Sequence, residues 1–516
     1  MPTFRSPFSR LDTASSAAPR SLLVLALACA IYLAYAWYLF GFLPDDTYIF
    51  LRYARNWAHG LGPVYNEGER LQGYTSFLWL ACLTLAERLH LPAVETAKVS
   101  SSVLGLGVVF VCWLLGREVA RDGARTRVTL APLLLLSFVD LPYWSVSGME
   151  TALFTLLANT SLLLYLLSWR RDSMLMWAAL CTAVTALARP EGLLLAAFLG
   201  GCELRRTRGQ LARRHWIAAL CCALPVAAAV AASVWYYGDI VPNTYYAKRQ
   251  VLSSALWNGT RYIRTFLSDS GGASIPLLAA VAFVDPARRR GVLVLGSWTA
   301  LVGLYLIWIG GDSFAWLGTH RFMVPLLPAI AVLLDAGLRA LDGWVLGAAP
   351  SSRARLFWRA AQVVIVVSML NPTGLTARYR GRLGGDEELA RLLAAAGRPG
   401  DWLLVGDIGT FGYYAPLRIL DAFGLTDRYI GRQLVKDGYA HFGPSDAQKF
   451  VEYVLQRNPR FVILKGTQQD SRLAVTSENA DAALHADPRF AERYLFVRQA
   501  RRSPHLLFVS RADPIE

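Results

Sequence analysis

The sequence predicts a mostly α-helical membrane protein with many spans and a small α/β domain at its C-terminal end. Apolar residues make up 54% of the 516 residues and charged residues only 17%, and the mean hydropathy is +0.35. Soluble domains carry about a quarter charged residues, so this balance favours a membrane protein over a chain of soluble domains. Two further observations support the fold class: the placement of the basic residues, and a change of pattern near position 371.

The basic residues account for the formal net charge of +15 without a nucleic-acid partner. Positions 372–516 carry 20 of the 52 Lys and Arg and 17 of the 37 Asp and Glu, so most of the surplus lies in positions 1–371. There the arginines form short clusters between apolar runs, at 117–127, 170–171, 205–214, 288–290 and 353–359. Short basic loops beside spans mark the cytoplasmic side, whereas nucleic-acid binders gather such charges on a folded soluble face. We therefore expect contact with membrane lipids and no nucleic acid.

About 20 apolar residues cross roughly 30 Å of hydrocarbon, and fewer suffice where neighbouring helices shield a span. Eleven runs fit: 21–43, 98–116, 128–141, 150–169, 174–188, 193–204, 216–237, 275–285, 291–309, 322–341 and 357–371. A further apolar run, 73–90, decides the orientation, because the later arginine clusters would all lie outside if it crossed. We interpret it as interfacial or re-entrant, which predicts a cytoplasmic N-terminus and an extracytoplasmic C-terminus.

The pattern changes after Asn371, which predicts a membrane domain over 1–371 and an exported α/β domain over 372–516. In the exported domain we expect an amphipathic helix at 386–396, strands at 401–406, 460–464 and 505–510, and a helix that a capping box at 445–448 opens. Gly406, Gly409 and Gly412 resemble a dinucleotide loop. Asp407 stands where that loop needs its second glycine, so no nucleotide cofactor is expected.

The outer loops of this topology carry the polar residues that can do chemistry. Asp45 and Asp46 directly follow the first span. Two adjacent carboxylates repel each other, so either one has a raised pKa or both hold a divalent cation such as Mg²⁺, Mn²⁺ or Ca²⁺. Tyr48, Arg52 and Arg55 share one helix face after them. The cations fit an anionic phosphate and the acids a nucleophilic hydroxyl, although an ordinary salt-bridged interfacial helix would show the same pattern.

Other polar residues lie at the ends of later spans. Arg189 and Glu191 flank a proline break, and a charged pair is costly among spans unless it belongs to a site. Lys248 is basic on the outer side, against the usual charge bias, and a lipid phosphate is a plausible partner. Glu150 begins a span, where the helix dipole is an equally good explanation. His320 by itself is more often structural than catalytic.

This set of residues predicts group transfer from an activated lipid. The sequence contains neither the GxxxxGK of an ATP site nor HExxH. The energy for transfer must then come from a substrate reached within the membrane, and a lipid-phosphate-linked sugar meets this need. Its leaving group is a phosphate, which Arg or Lys binds, and an external carboxylate can deprotonate the acceptor hydroxyl.

Short motifs, in order along nearly the whole chain, resemble the GT-C membrane glycosyltransferases. They are YIFLRYARN (48–56), GYTSFLW (73–79), SGMETALF (147–154), ARPEG (188–192), PNTYYAK (242–248), GGDSF with HRF (310–322) and GTFGYYAPLRILDAFGLTD (409–427). Among these enzymes they most resemble the bacterial subgroup that contains the mycobacterial terminal β-(1→2)-arabinofuranosyltransferase. The last motif resembles the exported domain of that subgroup.

The resemblance implies a GT-C bundle of about 11 spans in the bacterial inner membrane. It also implies a polyprenyl-phosphate sugar donor, such as decaprenyl-phosphate arabinofuranose, and Asp45 and Asp46 as the catalytic acidic pair, one of them acting as base. Gln72 stands where many relatives carry an acid, so the role of that position is open. The acceptor also stays open between a cell-wall or other surface glycan and a surface protein.

We therefore expect a membrane glycosyltransferase that moves a sugar, D-arabinofuranose, to an extracytoplasmic acceptor. The expected ligands of the donor phosphate are Arg52, Arg55, Lys248 and Arg321. The expected sugar contacts or site architecture are Tyr48, Glu69, Tyr74, Glu150, Arg189, Glu191, Asn243, Tyr246, Asp312 and His320. The first alternative is a transporter or flippase of the lipid-linked sugar, which would need charges near the bilayer midplane and related halves. A non-catalytic scaffold is the second.

Overall fold

The computed structural model describes residues 9–121, 128–285, 288–312, 318–346, 351–368, 384–438, 442–469, 472–475, 480–500 and 503–515. These residues form 21 α-helices and six β-strands and are mostly helical, as the sequence predicts. They fall into two compact units, each built from three stretches of chain. The predicted domain boundary at 371, part of the cluster 117–127, and Ser313 and Phe314 of the GGDSF motif lie outside the described residues.

In chain order, the helices are α1 (Ser9–Leu39), α2 (Asp45–Ala58), α3 (Phe77–Arg88), α4 (Ala93–Arg121), α5 (Ala131–Leu135), α6 (Asp140–Ser145), α7 (Thr151–Ser168), α8 (Ser173–Ala188), α9 (Gly192–Arg206), α10 (Arg213–Tyr237), α11 (Asn243–Ala247), α12 (Leu252–Asp269), α13 (Ser274–Val281), α14 (Arg289–Ile309), α15 (Leu327–Leu346), α16 (Ser352–Ser368), α17 (Gly384–Ala396), α18 (Ile408–Tyr414), α19 (Pro444–Arg457), α20 (Ala480–Ala486) and α21 (Pro488–Arg493). The strands are β1 (Trp402–Val405), β2 (Arg418–Asp421), β3 (Phe461–Gln469), β4 (Arg472–Val475), β5 (Tyr494–Gln499) and β6 (His505–Ser510). Short 3₁₀ segments cover Ala282–Val284 and Arg321–Leu326.

Six segments of the described chain are long and apolar enough to cross a membrane. They are Pro19–Leu39, Ala93–Ala120, Thr151–Ser168, Arg213–Tyr237, Arg289–Ile309 and Arg321–Leu346. A seventh would be the bent pair formed by α12 and Ser274–Val284, whose two parts differ in direction by 86°. The chain therefore has the helices of a multi-pass membrane protein.

Eleven spans were predicted, and the shorter ones account for the difference. The run 128–141 is divided between α5 and α6, because Pro142 is tolerated in the first turn of a helix but not in its interior. Pro190 likewise separates α8, with 16 residues, from α9, with 15. The run 73–90 contains α3, whose 12 residues are too few to cross hydrocarbon on their own.

The first unit consists of the described parts of Met1–Phe40, Lys98–Ala227 and Ala255–Thr376. Among its long apolar segments the most buried is Arg321–Leu346, which contains α15, where Leu327, Ala331 and Leu334 have no exposed surface. A Cβ at Gly337 would overlap the carbonyl oxygen of Leu278, so glycine lets α13 lie directly against α15. This packing gives the unit a rigid apolar centre beside its polar groups.

The second unit consists of Gly41–Ala97, Ala228–Ser254 and the described parts of Ala377–Glu516. Its sheet has the order β2-β1-β3-β6-β5, and β4 pairs with β3. β1 is parallel to β2 and β3, whereas β6 is antiparallel to β3 and β5. Because the chain places β2 and β3 on opposite sides of β1, the strand order reverses there. Polar groups after β1 therefore occupy the position where α/β sheets usually bind ligands.

The strands and the first helix predicted for the exported domain are confirmed as β1, β3, β6 and α17. The capping box predicted at 445–448 is wrong. α19 begins at Pro444, its N-cap is Gly443, and no side chain accepts a hydrogen bond from its first turn. Proline is favoured at the first helical position because its missing N–H would have no partner there, and it moves the start of the helix ahead of Ser445.

Candidate active site

The predicted acidic pair opens helix α2 of the second unit. Asp45 and Asp46 are half-buried in its first turn, where carboxylates interact favourably with the helix dipole. At about 100° per residue, Asp45 shares a face of α2 with Tyr48 and Arg52, while Asp46 lies about 100° around the helix. The two acids therefore face different surroundings.

The carboxylate of Asp45 accepts three hydrogen bonds from the first turn of α18. Oδ2 accepts from the N–H of Gly409 at 2.7 Å, and Oδ1 accepts from the N–H and the hydroxyl of Thr410 at 2.7 and 2.9 Å. A Cβ at Gly409 would overlap the carbonyl oxygen of Asp45, so this close approach requires glycine. Asp45 thus joins α2 to the segment that follows β1.

A second acid, Asp407, shares the surroundings of Asp45. Burial, and then the like charge of Asp407, raise the pKa of Asp45 to about 7, although its hydrogen bonds act in the opposite direction. Lys465 Nζ lies 3.0 and 2.9 Å from the two carboxylate oxygens of Asp407, and His505 Nε2 lies 3.2 Å away. Burial opposes the charge of Asp407, but these two cations outweigh it and lower its pKa below the usual range. Asp407 is thus ionised at neutral pH.

Arg52 also binds the segment after β1. Its guanidinium donates to the carbonyl oxygens of Tyr65, Gly412 and Leu417 at 2.8, 2.7 and 2.8 Å, and to Oδ1 of Asn66 at 3.3 Å. Four of its five N–H groups can be satisfied in this way. This geometry gives Arg52 a structural role within the second unit, and its predicted contact with the donor phosphate stays a prediction.

Arg55 and Tyr48 make similar contacts with the same segment. Arg55 donates to the carbonyl oxygen of Tyr413 at 2.8 Å, and its guanidinium lies 3.9 Å from the centre of that ring. Tyr48 packs against the rings of Tyr413 and Tyr414, with centroids 5.3 and 5.4 Å apart. One face of α2 therefore packs largely against α18. Contact of this face with a substrate stays a prediction.

The turn after α2 contacts strand β2. Asn66 donates to the carbonyl oxygen of Ile419 at 2.8 Å and accepts from its N–H at 3.0 Å, so one amide satisfies both main-chain groups of this residue. Glu69 accepts from Asn66 at 3.1 Å and forms an ion pair with Arg418 at 2.8 Å. Glu69, a predicted sugar contact, thus lies beside the hydrogen bonds between Asn66 and the main chain of Ile419. The sequence motifs did not indicate these hydrogen bonds.

Asn243 fixes the loop after β2. Its side chain donates to the carbonyl oxygens of Gly424, Leu425 and Asp427 at 2.8, 3.2 and 3.2 Å, and accepts from Arg432 at 2.9 Å. An amide that is 1% exposed and fully paired has a structural function in the first place.

The other predicted residues of the second unit are more varied. Arg432 lies 4.4 Å from the ring centre of Tyr246 and forms an ion pair with Asp239 at 2.8 Å. The hydroxyl of Tyr74 lies 3.0 Å from that of Tyr237 in a buried aromatic cluster. Lys248 is exposed at the surface.

The first unit brings together a second set of predicted residues. Arg189 donates to Glu150 at 2.5 Å and to the two oxygens of Glu191 at 2.9 and 3.2 Å. Arg321 forms an ion pair with Asp312 at 3.1 Å. Two guanidinium groups thus stand among three carboxylates, nearly all of them buried.

His320 belongs to a different environment. Its ring is fully buried and packs edge-on against Tyr262 and Phe266, and its backbone N–H donates to Asp140 at 2.5 Å. Nε2 lies 3.4 Å from the hydroxyl of Thr265. These contacts favour a structural histidine, as its sequence pattern alone indicated.

A small pocket, partly open to solvent, lies beside the charged groups of the first unit. Its walls combine Arg189, Glu191 and Arg321 with the aromatic rings of Phe154, Trp298, Tyr305 and Phe322. Among the lining residues that the structure describes, Oγ1 of Thr151 and Nε1 of Trp298 are buried without a hydrogen-bond partner. Such groups are costly to leave unpaired, so a ligand with hydroxyl groups would fit here.

Within the described ranges, no group of three or more His, Cys, Asp or Glu side chains is arranged to hold a metal ion. Both oxygens of Asp45 already accept hydrogen bonds from N–H and O–H donors. Three of the roughly four lone-pair positions of this carboxylate are thereby used, so its donor set does not fit a cation shared with Asp46. The cation predicted at the pair stays a prediction.

The sequence motifs missed Asp407, Lys465 and His505. A signal for Asp407 was present, since it directly follows a predicted buried strand, where α/β sheets place functional groups. Lys465 and His505 lie 58 and 98 positions further along the chain and reach Asp407 only because β3 lies beside β1 and β6 lies beside β3 in the sheet.

Comparisons with known proteins show one matching protein family and two curated relatives. Residues 374–508 match a family described as a domain of unknown function, DUF8728. The terminal β-(1→2)-arabinofuranosyltransferase of Corynebacterium glutamicum is 27% identical over 369 residues, which are 62% of this chain and 52% of that protein. The enzyme of the same name from Mycobacterium tuberculosis is 30% identical over 297 residues, 52% of this chain and 45% of that protein. The chain thus spans about half the length of the curated relatives it matches.

A solved structure supports the fold. ArnT from Cupriavidus metallidurans, bound to undecaprenyl phosphate, superposes with a TM-score of 0.59 at 13% identity and covers 94% of this chain and 97% of its own. Likeness at this identity concerns the fold alone. The resemblance seen in the motifs is confirmed: the chain is similar to terminal β-(1→2)-arabinofuranosyltransferases and has the polytopic fold of the GT-C membrane glycosyltransferases, with a sheet-containing C-terminal part.

Proposed function

We propose that this protein transfers a sugar, D-arabinofuranose, from a polyprenyl-phosphate donor to a glycan or protein outside the cytoplasm. The names of the two relatives support the sugar, and the lipid phosphate bound to ArnT supports the donor class. The orientation that the arginine clusters predict supports an acceptor on the outer side. For the acceptor we propose only the reacting group, a free hydroxyl.

The observation that carries the proposal is the pocket of the first unit. Its aromatic and aliphatic walls suit an isoprenoid chain, and the guanidinium of Arg321 suits the phosphate. The hydroxyl of Thr151, which lines the pocket and is buried without a hydrogen-bond partner, suits a hydroxyl group of a furanose. Arg189 already has two carboxylate partners, so we assign it to holding Glu150 and Glu191 in place.

Asp46 is the member of the acidic pair that we propose as the general base. The three hydrogen bonds from α18 commit the carboxylate of Asp45 to holding that helix, so we assign the other carboxylate of the pair to the acceptor hydroxyl. Asp46 lies on another side of the same helical turn. Asp45 then acts by fixing the turn from which Asp46 projects.

The reaction is a substitution at the anomeric carbon. The acceptor hydroxyl loses its proton to Asp46, and its oxygen forms the new bond to C1 of the sugar. The bond between C1 and the phosphate oxygen breaks, and its electron pair leaves with the polyprenyl phosphate. No step passes through a metal; activity in EDTA, followed by addition of Mg²⁺, Mn²⁺ or Ca²⁺, tests the predicted cation.

The full chain, reconstituted in lipid nanodiscs, tests the proposal with decaprenyl-phosphate-[¹⁴C]arabinofuranose and a synthetic arabinofuranose oligosaccharide. We expect labelled oligosaccharide, and we expect Asp46→Asn to reduce the rate by about 10²- to 10⁴-fold, the usual contribution of a general base. Glu67→Gln, an exposed acid of the same unit, is the control and should keep full activity. Full activity of Asp46→Asn would contradict the mechanism. In proteoliposomes, donor that crosses the bilayer and stays intact would favour the flippase.

A further inference from the structure

Asp407 is the point where four elements of the second unit meet. It follows β1 and precedes α18, and it is bound by Lys465 from β3 and by His505 from β6. Nδ1 of His505 lies 2.7 Å from Asp386 on α17 and 2.8 Å from the hydroxyl of Ser503. This ion-paired group fixes the turn that presents the N–H groups of α18, two and three residues further on, to Asp45.

The charges of this group bear directly on Asp45. Asp407 is the like charge that acts most strongly on Asp45, ahead of its chain neighbour Asp46. Lys465 and His505 compensate Asp407, but His505 is shared with Asp386, so Lys465 is the cation that serves Asp407 alone. Without Lys465, the excess negative charge would repel the carboxylate of Asp45 from the first turn of α18.

We propose that Lys465 and Asp407 are positioning residues for the transfer reaction: their ion pair keeps Asp45 on the first turn of α18 and thereby fixes the helical turn that carries Asp46. This inference rests on the proposed function, since it assigns the base to Asp46. Neither residue touches a substrate in this scheme. They act on the chemical step through Asp45.

A set of four variants of the full chain in nanodiscs tests the inference. In Lys465→Met the charge of Asp407 is left uncompensated, and we expect kcat to fall about tenfold while KM for the donor changes less than about twofold, because an interaction felt only at the chemical step is lost. Lys465→Arg keeps the charge and should restore kcat. The double variant Asp407→Asn/Lys465→Met removes both charges, so it should be more active than Lys465→Met alone. Lys449→Met removes an exposed lysine from an ion pair on α19 and should match the unaltered protein.

The rescue by a second substitution separates electrostatic positioning from simple loss of structure. The charge argument requires that Asp407→Asn restores part of the activity lost in Lys465→Met, so the effects of the two substitutions cannot simply add. A double variant that is as impaired as Lys465→Met, or more impaired, would overturn the inference. Hydrogen exchange of the peptide 407–415, followed by mass spectrometry, is a readout that does not depend on transfer. We expect faster exchange in Lys465→Met and recovery in the double variant. Unchanged exchange would refute the inference even if the chain is a transferase, and altered exchange in a chain without transfer would instead refute the proposed function.

Discussion

Oδ1 of Asp45 accepts hydrogen bonds from both the amide and the hydroxyl of Thr410, at 2.7 and 2.9 Å, although 365 positions separate the two residues. A carboxylate that accepts from backbone N–H groups at a helix start makes charge-assisted bonds, which are stronger than neutral ones. The contact therefore divides the acidic pair by role. Asp45 holds two segments of the second unit together, and the proposed chemistry belongs to Asp46.

Replacing the two acids separately should reveal this division. Asp45→Asn places an amide NH₂ against N–H donors, so we expect it to lower the free energy of unfolding by about 1–3 kcal/mol, the cost of an unsatisfied buried group. Asp46→Asn is nearly isosteric and lies on another side of the helical turn, so it should change this free energy by less than about 0.5 kcal/mol. Thermal unfolding of the purified chain in detergent measures both. Equal stability losses would contradict the assignment of roles.

Gly409 should tolerate no side chain. A Cβ at this position would overlap the carbonyl oxygen of Asp45 and lie 2.7 Å from its Oδ2. Gly409→Ala must therefore push α2 and α18 apart, and we expect a loss of several kcal/mol of stability together with most of the transfer activity. Gly41→Ala is the matched control, because its Cβ would meet no atom within 4 Å. An unaltered unfolding temperature for Gly409→Ala would show that the two segments do not depend on this contact.

The long helices and the strands of the C-terminal part could be predicted because their signals are local. An apolar run of about 20 residues predicts a spanning helix, and an alternating or mixed pattern predicts a half-buried strand or helix. Each pattern depends only on how that one element is buried. The start of α19 was misjudged for a local reason as well, since Gly443 and Pro444 compete with Ser445 for the same role. The run 128–141 was counted as one span although it is divided between the short helices α5 and α6, because burial by neighbours lets helices be short and no local pattern records it.

The candidate site was only partly predictable. Asp45, Arg52 and Asn243 stood out because polar residues beside spans are unusual, but the pattern could not say what they contact. In the structure all three bind main-chain groups of 409–427, a stretch that itself stood out as a motif. Such pairings join residues far apart in the chain, and a single sequence carries no record of them.

Arg321→Lys tests the proposed phosphate contact. The substitution keeps the charge beside Asp312 but loses the planar fork that matches a phosphate, and it weakens the contact with the rings of Trp144 and Phe322. We expect KM for the lipid donor to rise about tenfold, with KM for the acceptor unchanged. Initial rates over a range of each substrate provide both constants. Arg264→Lys, at an exposed position, is the control, and a rise only in KM for the acceptor would exclude the assignment.

His505 should make the stability of the chain depend on alkaline pH. Burial disfavours its charge, but hydrogen bonds to Asp386 and Asp407 outweigh burial and raise its pKa from 6.5 to about 9. Because the folded state binds the proton more tightly than the unfolded state, this stabilisation is fully present below pH 6.5 and is lost as the pH rises through 9. The shift corresponds to at most about 3 kcal/mol.

The unfolding temperature should therefore fall between pH 6.5 and 9 in the unaltered protein and fall much less in His505→Gln, which cannot gain the charge. Parallel pH profiles of the two proteins would mean that another group is responsible.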